Sequence, residues 1–348
     1  MQDRLTYLFR LLMKIARLLS PLLVLLMLGA GCTKTPASTT ARTTPSPVTT
    51  SAPATPKSTP VVSDNRFTPP TGAGSGSGVE TPGRRRLMTA TSTDGLTFTR
   101  TNTIVTDQAN VPDLVMDADG TLYLYYAGWT VGDRNNAAAV AISKDQGKTW
   151  TFHQVDIGVA NGRMSHSSDP DVVLLEDGTF RMYSTFNLPN STDPGIFVEE
   201  GMDGIHFSEG TLAFSGTPPA LDSNTFLVGD LWHMYTLSGR TMDSYHATST
   251  DGLTFTKQSH KTYWIDNLDM VMSNVLPIEG GYRMYGFSPT SGDIRSLTSP
   301  DGATWTAEAG VRLALDTTSG FESTFVKDPA VIKLLDGTYL MVYVTQIP

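Results

Sequence analysis

Cysteine is almost missing: Cys32 is the only one in 348 residues. One thiol excludes an internal disulfide framework, a paired-cysteine redox centre and any cysteine-built zinc site. Charge is sparse as well, at 17% of residues, and the basic kind is scarcer, with 25 Lys and Arg against 34 Asp and Glu. The resulting net charge of −9 argues against a nucleic-acid partner, which needs a basic footprint. Helical apolar spacing is lacking beyond the N-terminal leader, and no second histidine stands at ligand spacing from His166. No metal centre and no cofactor are expected.

What the chain has in abundance is turn punctuation. Ser-x-Asp-Gly-x-Thr-aromatic occurs at Ser92/Asp94/Gly95, Ser249/Asp251/Gly252 and Ser299/Asp301/Gly302, with a longer form at Ser143/Asp145/Gly147. Asp203/Gly204 is a worn copy with Gly201 in place of the serine. Between these lie apolar runs broken by Asp119-Gly120, Asp177-Gly178, Gly229-Asp230, Gly280-Gly281 and Asp336-Gly337. Each of these turns leads into an aromatic, alternating run such as Phe180 to Tyr183 or Tyr339 to Tyr343, as strands require. Two turn types alternating through repeats of about fifty residues predict an all-β, five-bladed β-propeller. Blades are expected at about 109–158, 165–214, 217–264 and 267–315. The last begins near Phe325 and would be completed by 86–105, so that N-terminal strands of the domain close the ring. Repetition of the hairpin aspartates in every blade marks them as loop-building groups rather than catalysts.

The N-terminal stretch reads differently. Arg4, Arg10, Lys14 and Arg17 precede an apolar run from Leu18 to Leu28, too short for the about 20 residues of a membrane-spanning helix. Gly29-Ala30-Gly31-Cys32 resembles the processing site of a bacterial lipoprotein, with Leu28 one place further from the cysteine than usual. The resemblance implies that residues 1–31 are a signal peptide and that Cys32 carries the lipid. The protein would then lie outside the cytoplasmic membrane or on the cell surface, touching the membrane only through that lipid. Residues 32–83, dominated by Thr, Pro, Ser, Ala and Gly, read as a disordered tether. The propeller is assigned to 84–348. Without the first 31 residues the formal charge is −12.

Two families share these signatures. Ser143 to Trp150 matches the Asp-box of sialidases and related propellers. Asp169-Pro170-Asp171 followed by Asp177-Gly178, and Asp328-Pro329 followed by Asp336-Gly337, resemble the five-bladed glycoside hydrolases of families 43 and 32. That resemblance covers 86–348 and implies a carbohydrate partner and a monomer. It also implies three working carboxylates, one at the start of each of the first three blades. Here Asp169 takes the blade-two position, but Val111 stands at the blade-one position and Ala220 at the blade-three position. Two places further along, Asp113, Asp171 and Asp222 are expected to align and, with a strand period of two, to face the hub together. Their mutual repulsion would leave one acid protonated and another ionised, the pairing glycoside hydrolysis needs. On that reading Asp113 is the base, Asp169 or Asp171 the modulator and Asp222 the acid. Local capping of strand starts by the same aspartates is the alternative. Trp129, Arg163, His166, Asn274 and Glu322 flank the inner strands and are the expected sugar-binding groups, with His246 a further polar candidate in blade three. The functional expectation is an extracytoplasmic glycoside hydrolase acting on poly- or oligosaccharide. The alternative is a non-catalytic carbohydrate-binding or surface-interaction propeller. A sialidase fits less well, since those enzymes use six blades and an arginine triad.

Overall fold

A computed structural model of the chain describes residues 84–128, 137–158, 168–239, 241, 243–261 and 265–348. Among these residues there is no α-helix. Twenty of the 22 strands form five four-stranded antiparallel sheets, and a short parallel pair joins Asp156–Ile157 to His206–Phe207. From hub to rim, the first blade is Ala109–Met116, Leu122–Gly128, Ala137–Ser143 and Thr151–Gln154. The second is Ser168–Leu174, Phe180–Asn187, Pro194–Gly201 and Thr211–Phe214. The third is Ala220–Val228, Leu231–Ser238, Ser244–Ser249 and Thr256–Lys261, and the fourth Val271–Ile278, Gly281–Phe287, Ile294–Ser299 and Thr306–Ala307. Val326–Lys333 and Tyr339–Gln346 supply the inner half of the fifth, and Arg85–Ser92 and Thr99–Asp107 its outer half. The expected closure is present, running from Arg85 opposite Gln346 to Ser92 opposite Tyr339. The protein is a five-bladed β-propeller.

Five apolar cores fill the five junctions between neighbouring sheets. Tyr125 and Val140 of blade one meet Phe180 and Met182 of blade two; Leu87 and Val342 of blade five meet Leu114 and Leu124 of blade one. The sheets therefore cohere through burial of both faces, which is the main stabilising term.

The Ser-x-Asp-Gly hairpins link third to fourth strands and serve these junctions. In the hairpin of blade five, Ser92 Oγ donates to Asp94 Oδ1 at 2.8 Å and accepts from Gly95 N at 2.9 Å, while Leu96 N and Thr97 N donate to Asp94 Oδ1. These amides hold the Asp94 carboxyl down at about 2. The glycine carbonyl then accepts the tyrosine of the preceding blade. Tyr125, Tyr183, Tyr235 and Tyr285 donate to Gly204, Gly252, Gly302 and Gly95 at 2.7–2.9 Å. Tyr183→Phe is expected to cost about 1–2 kcal/mol by leaving the buried carbonyl of Gly252 without its donor, and urea denaturation would measure it.

Candidate functional site at the hub mouth

Every inner strand begins with a bulge. Relative to its neighbour, the strand carries extra residues between Asn110 and Asp113, Ser168 and Asp171, Leu221 and Ser223, Met272 and Asn274, and Lys327 and Ala330. The first bulged residue has a left-handed backbone in four blades: Val111 at φ 45°, Asp169 at 54°, Asp222 at 54° and Asp328 at 45°. Aspartate tolerates that region, and the prolines that follow in three blades have no N–H to leave unpaired. Val111 is β-branched and strained there. Val111→Asn is expected to raise stability by about 1 kcal/mol, as a shift in denaturation midpoint at unchanged slope.

These bulges create two rows around the channel. The row at the mouth holds Val111, Asp169, Asp222 and Asp328. One step down the channel the row is Asp113, Asp171, Asn224, Asn274 and Ala330, read from their pairing to the second strands. The expected alignment of Asp222 with Asp113 and Asp171 is thus corrected. The bulge adds one residue in each of these blades, but blade three closes its inner hairpin with only Gly229-Asp230 between Val228 and Leu231, whereas longer turns separate Met116 from Leu122 and Leu174 from Phe180. Asn224 therefore pairs with Tyr235 as Asp171 pairs with Tyr183, and Asp222 stands level with Asp169.

The deeper row ties blades together. Asp113 Oδ2 accepts Val172 N at 2.6 Å, Asn224 Nδ2 donates to Ser273 O at 3.1 Å, and Asn274 Oδ1 accepts Val331 N at 3.0 Å. Burial raises the Asp113 carboxyl to about 6 and, with the Asp113 charge beside it, lifts Asp171 well above the carboxylate range. Asn274, expected among the sugar-binding groups, is a buried link between blades four and five.

In the mouth row Asp328 is buried, while Asp169 and Asp222 are half-buried. Thr185 joins these two: its hydroxyl accepts Asp222 N at 2.9 Å and hydrogen-bonds the Asp169 carboxyl. Burial raises Asp169 to about 6 against that hydrogen bond, with the charge of Asp328 pushing the same way. Burial, then the charges of Asp169 and Asp328, lift Asp222 well above the ordinary range, while Lys327 opposes them. Lys327 Nζ lies 2.9 Å from Asp328 Oδ2. Three carboxyl groups and one ammonium therefore share the mouth, and the pocket there is lined by Val111, Asp222, Met272 and Asp328, with Asp113 and Asp171 of the deeper row at its base.

Two other expectations change. Glu322 is buried away from the pocket lining. Arg100 Nε at 2.7 Å, Tyr343 Oη at 2.7 Å and Asp316 N at 2.9 Å occupy its oxygens, clamping the loop before the fifth blade. His246 is buried within blade three, its Nε2 3.0 Å from His233 Nδ1. Trp129, Arg163 and His166 lie outside the described residues, as does Cys32. Asp328 and Lys327 were missing from the expected catalytic set, although Asp328-Pro329 repeats Asp169-Pro170 and was the available signal.

No family model matches the chain, and no curated protein matches it by sequence. Solved structures do match its fold. A thermostable family-43 glycoside hydrolase is 14% identical with a TM-score of 0.52, over 68% of this chain and 88% of that one. An N-acetylgalactosamine deacetylase from F. plautii, in complex with blood group B trisaccharide, is 12% identical with a TM-score of 0.52, over 71% and 81%. A glycosyl hydrolase from Bacteroides ovatus is 14% identical with a TM-score of 0.51, over 68% and 83%. The chain shares the five-bladed fold found in carbohydrate-active enzymes.

Proposed function

We propose that the hub mouth binds a carbohydrate and that the protein hydrolyses a glycosidic bond there. The observation carrying this reading is the cluster of Asp169, Asp222 and Asp328 at the hub mouth, two of them lining the pocket, with Lys327 ion-paired to Asp328 and its charge reaching the other two. The environments divide the labour. Asp222, whose proton is held by burial and two neighbouring carboxylates, protonates the leaving-group oxygen. Asp328, ion-paired to Lys327, takes the proton of the attacking water or attacks the anomeric carbon itself. Asp169 orients through Thr185 and tunes Asp222 by its charge. This reassigns the base from Asp113, which lies deeper and spends one oxygen on the neighbouring blade. An export leader and a lipid on Cys32 would place this activity outside the cytoplasmic membrane.

One observation favours a second reading, carbohydrate binding without turnover: Val111 fills the mouth position of blade one where an acid would complete the row. The test is a survey of poly- and oligosaccharides, followed by release of reducing ends and, in parallel, by calorimetric binding. Release supports hydrolysis. Binding without release over long incubation supports the second reading, and neither binding nor release would sink both.

A further inference from the structure

We propose that the channel end opposite the hub mouth is a second ligand site, which takes a primary organic ammonium ion carrying an apolar stem. The inner strands run away from the mouth towards their Gly turns, and their downstream halves wall a cavity open to solvent on that face. Leu114, Val172, Phe226, Leu276 and Ile332 make the wall apolar. Leu227, 44% exposed, stands among the lining residues where blade three reaches its turn.

The floor is the deeper polar row. Asp171 and Asn224 are 5% and 6% exposed; Asn224 Oδ1 has no hydrogen-bond partner in the protein, and the Asp171 carboxyl lies beside Ser223 and Thr225 with its Oδ2 unmatched at hydrogen-bond geometry. Both residues belong to the ring that lines this cavity, Asp171 reaching the mouth pocket as well, and both atoms are acceptors, so the complementary head must bring N–H or O–H donors. Asp113 beside them adds a second carboxyl, which favours a cation over a neutral hydroxyl. The surrounding turns carry Asp119, Asp177, Asp230 and Asp336, and third strands end on the same face, adding the hairpin aspartates. That acidic rim concentrates cations at the opening. An inorganic cation would leave the apolar wall uncovered; a hydrocarbon stem covers it. From Asp113 to Met116 the wall is about 10 Å deep at the rise of a strand, enough to enclose an extended six-carbon stem.

The experiment is calorimetric titration of the full chain with hexylammonium, hexan-1-ol and ammonium chloride. Saturable binding of hexylammonium is expected, with both of the others at least about 10-fold weaker. Asp171→Asn should weaken hexylammonium binding by about 10-fold or more. Leu227→Arg, at an exposed position that folding tolerates, should weaken it several-fold while leaving hexan-1-ol unchanged. Equal affinities for amine and alcohol, or an unaltered hexylammonium isotherm in the Leu227→Arg protein, would overturn the proposal. The readout is binding at the far end of the channel, so it stands or falls apart from hydrolysis at the mouth.

Discussion

Asp222→Asn is expected to lower kcat on any sugar the protein cleaves by about 10²–10⁴-fold, the range supplied by a positioned general acid. KM should change little, because asparagine keeps the shape and the backbone bond from Asp222 N to Thr185 Oγ1. A substrate with a phenolate leaving group, which departs without a proton, should recover most of the lost rate. The pH profile provides a finer check. Asp222 must be protonated to act, so its ionisation sets the alkaline limb. The charge of Asp169 contributes to the raised position of Asp222. Asp169→Asn should therefore move the alkaline limb to lower pH, whereas a purely structural Asp169 would leave the limb in place. Full kcat in Asp222→Asn would remove this residue from the mechanism.

Glu199→Gln is expected to stabilise the fold at alkaline pH and to do little in acid. Glu199 is fully buried between strands of the second blade, with Ser184 Oγ at 3.0 Å from both carboxyl oxygens. Burial raises it to about 8, against an ordinary 4.5. A group raised in the folded state holds its proton there after the unfolded chain has released it. Its contribution is complete below about pH 4.5 and is lost as pH rises through about 8. By linkage the loss is of order 3–5 kcal/mol at pH 9, an upper range for a site that water can reach on relaxation. Glutamine carries no such charge, so thermal unfolding should show the variant several degrees higher at pH 9 and nearly level with the parent at pH 5. The same difference at both pH values would refute the assignment to Glu199 ionisation. His246 acts in the opposite sense. Burial, then the neighbouring His233, holds it down at about 4, so its contribution is complete above about pH 6.5 and is lost as pH falls through about 4.

The hairpins were legible because their physics is local. Ser92, Asp94 and Gly95 satisfy one another within four residues, and the same solution recurs in later blades. Ring closure was legible too, since the fifth blade lacked an outer half and residues 86–105 had no sheet of their own. The hub was not. Asp113, Asp171 and Asp222 share spacing to their turn glycines Gly120, Gly178 and Gly229, but the turn of blade three is shorter, and the longer pairing it leaves moves Asp222 up by one full row. Asn224, the true partner of Asp113 and Asp171, drew no attention because it is not an acid. Glu322 read as a site residue because its partners, Arg100 and Tyr343, are 222 and 21 residues away.

By itself the order of residues determined the number of sheets, the turns that separate them and the manner of their closure. Those depend on periodicity and on contacts within a few positions. Only the folded ring decided which carboxyl groups meet, which are satisfied by backbone amides and which hold protons. Such choices depend on bulge register, burial and charges brought in from other blades, none of which spacing along a chain records.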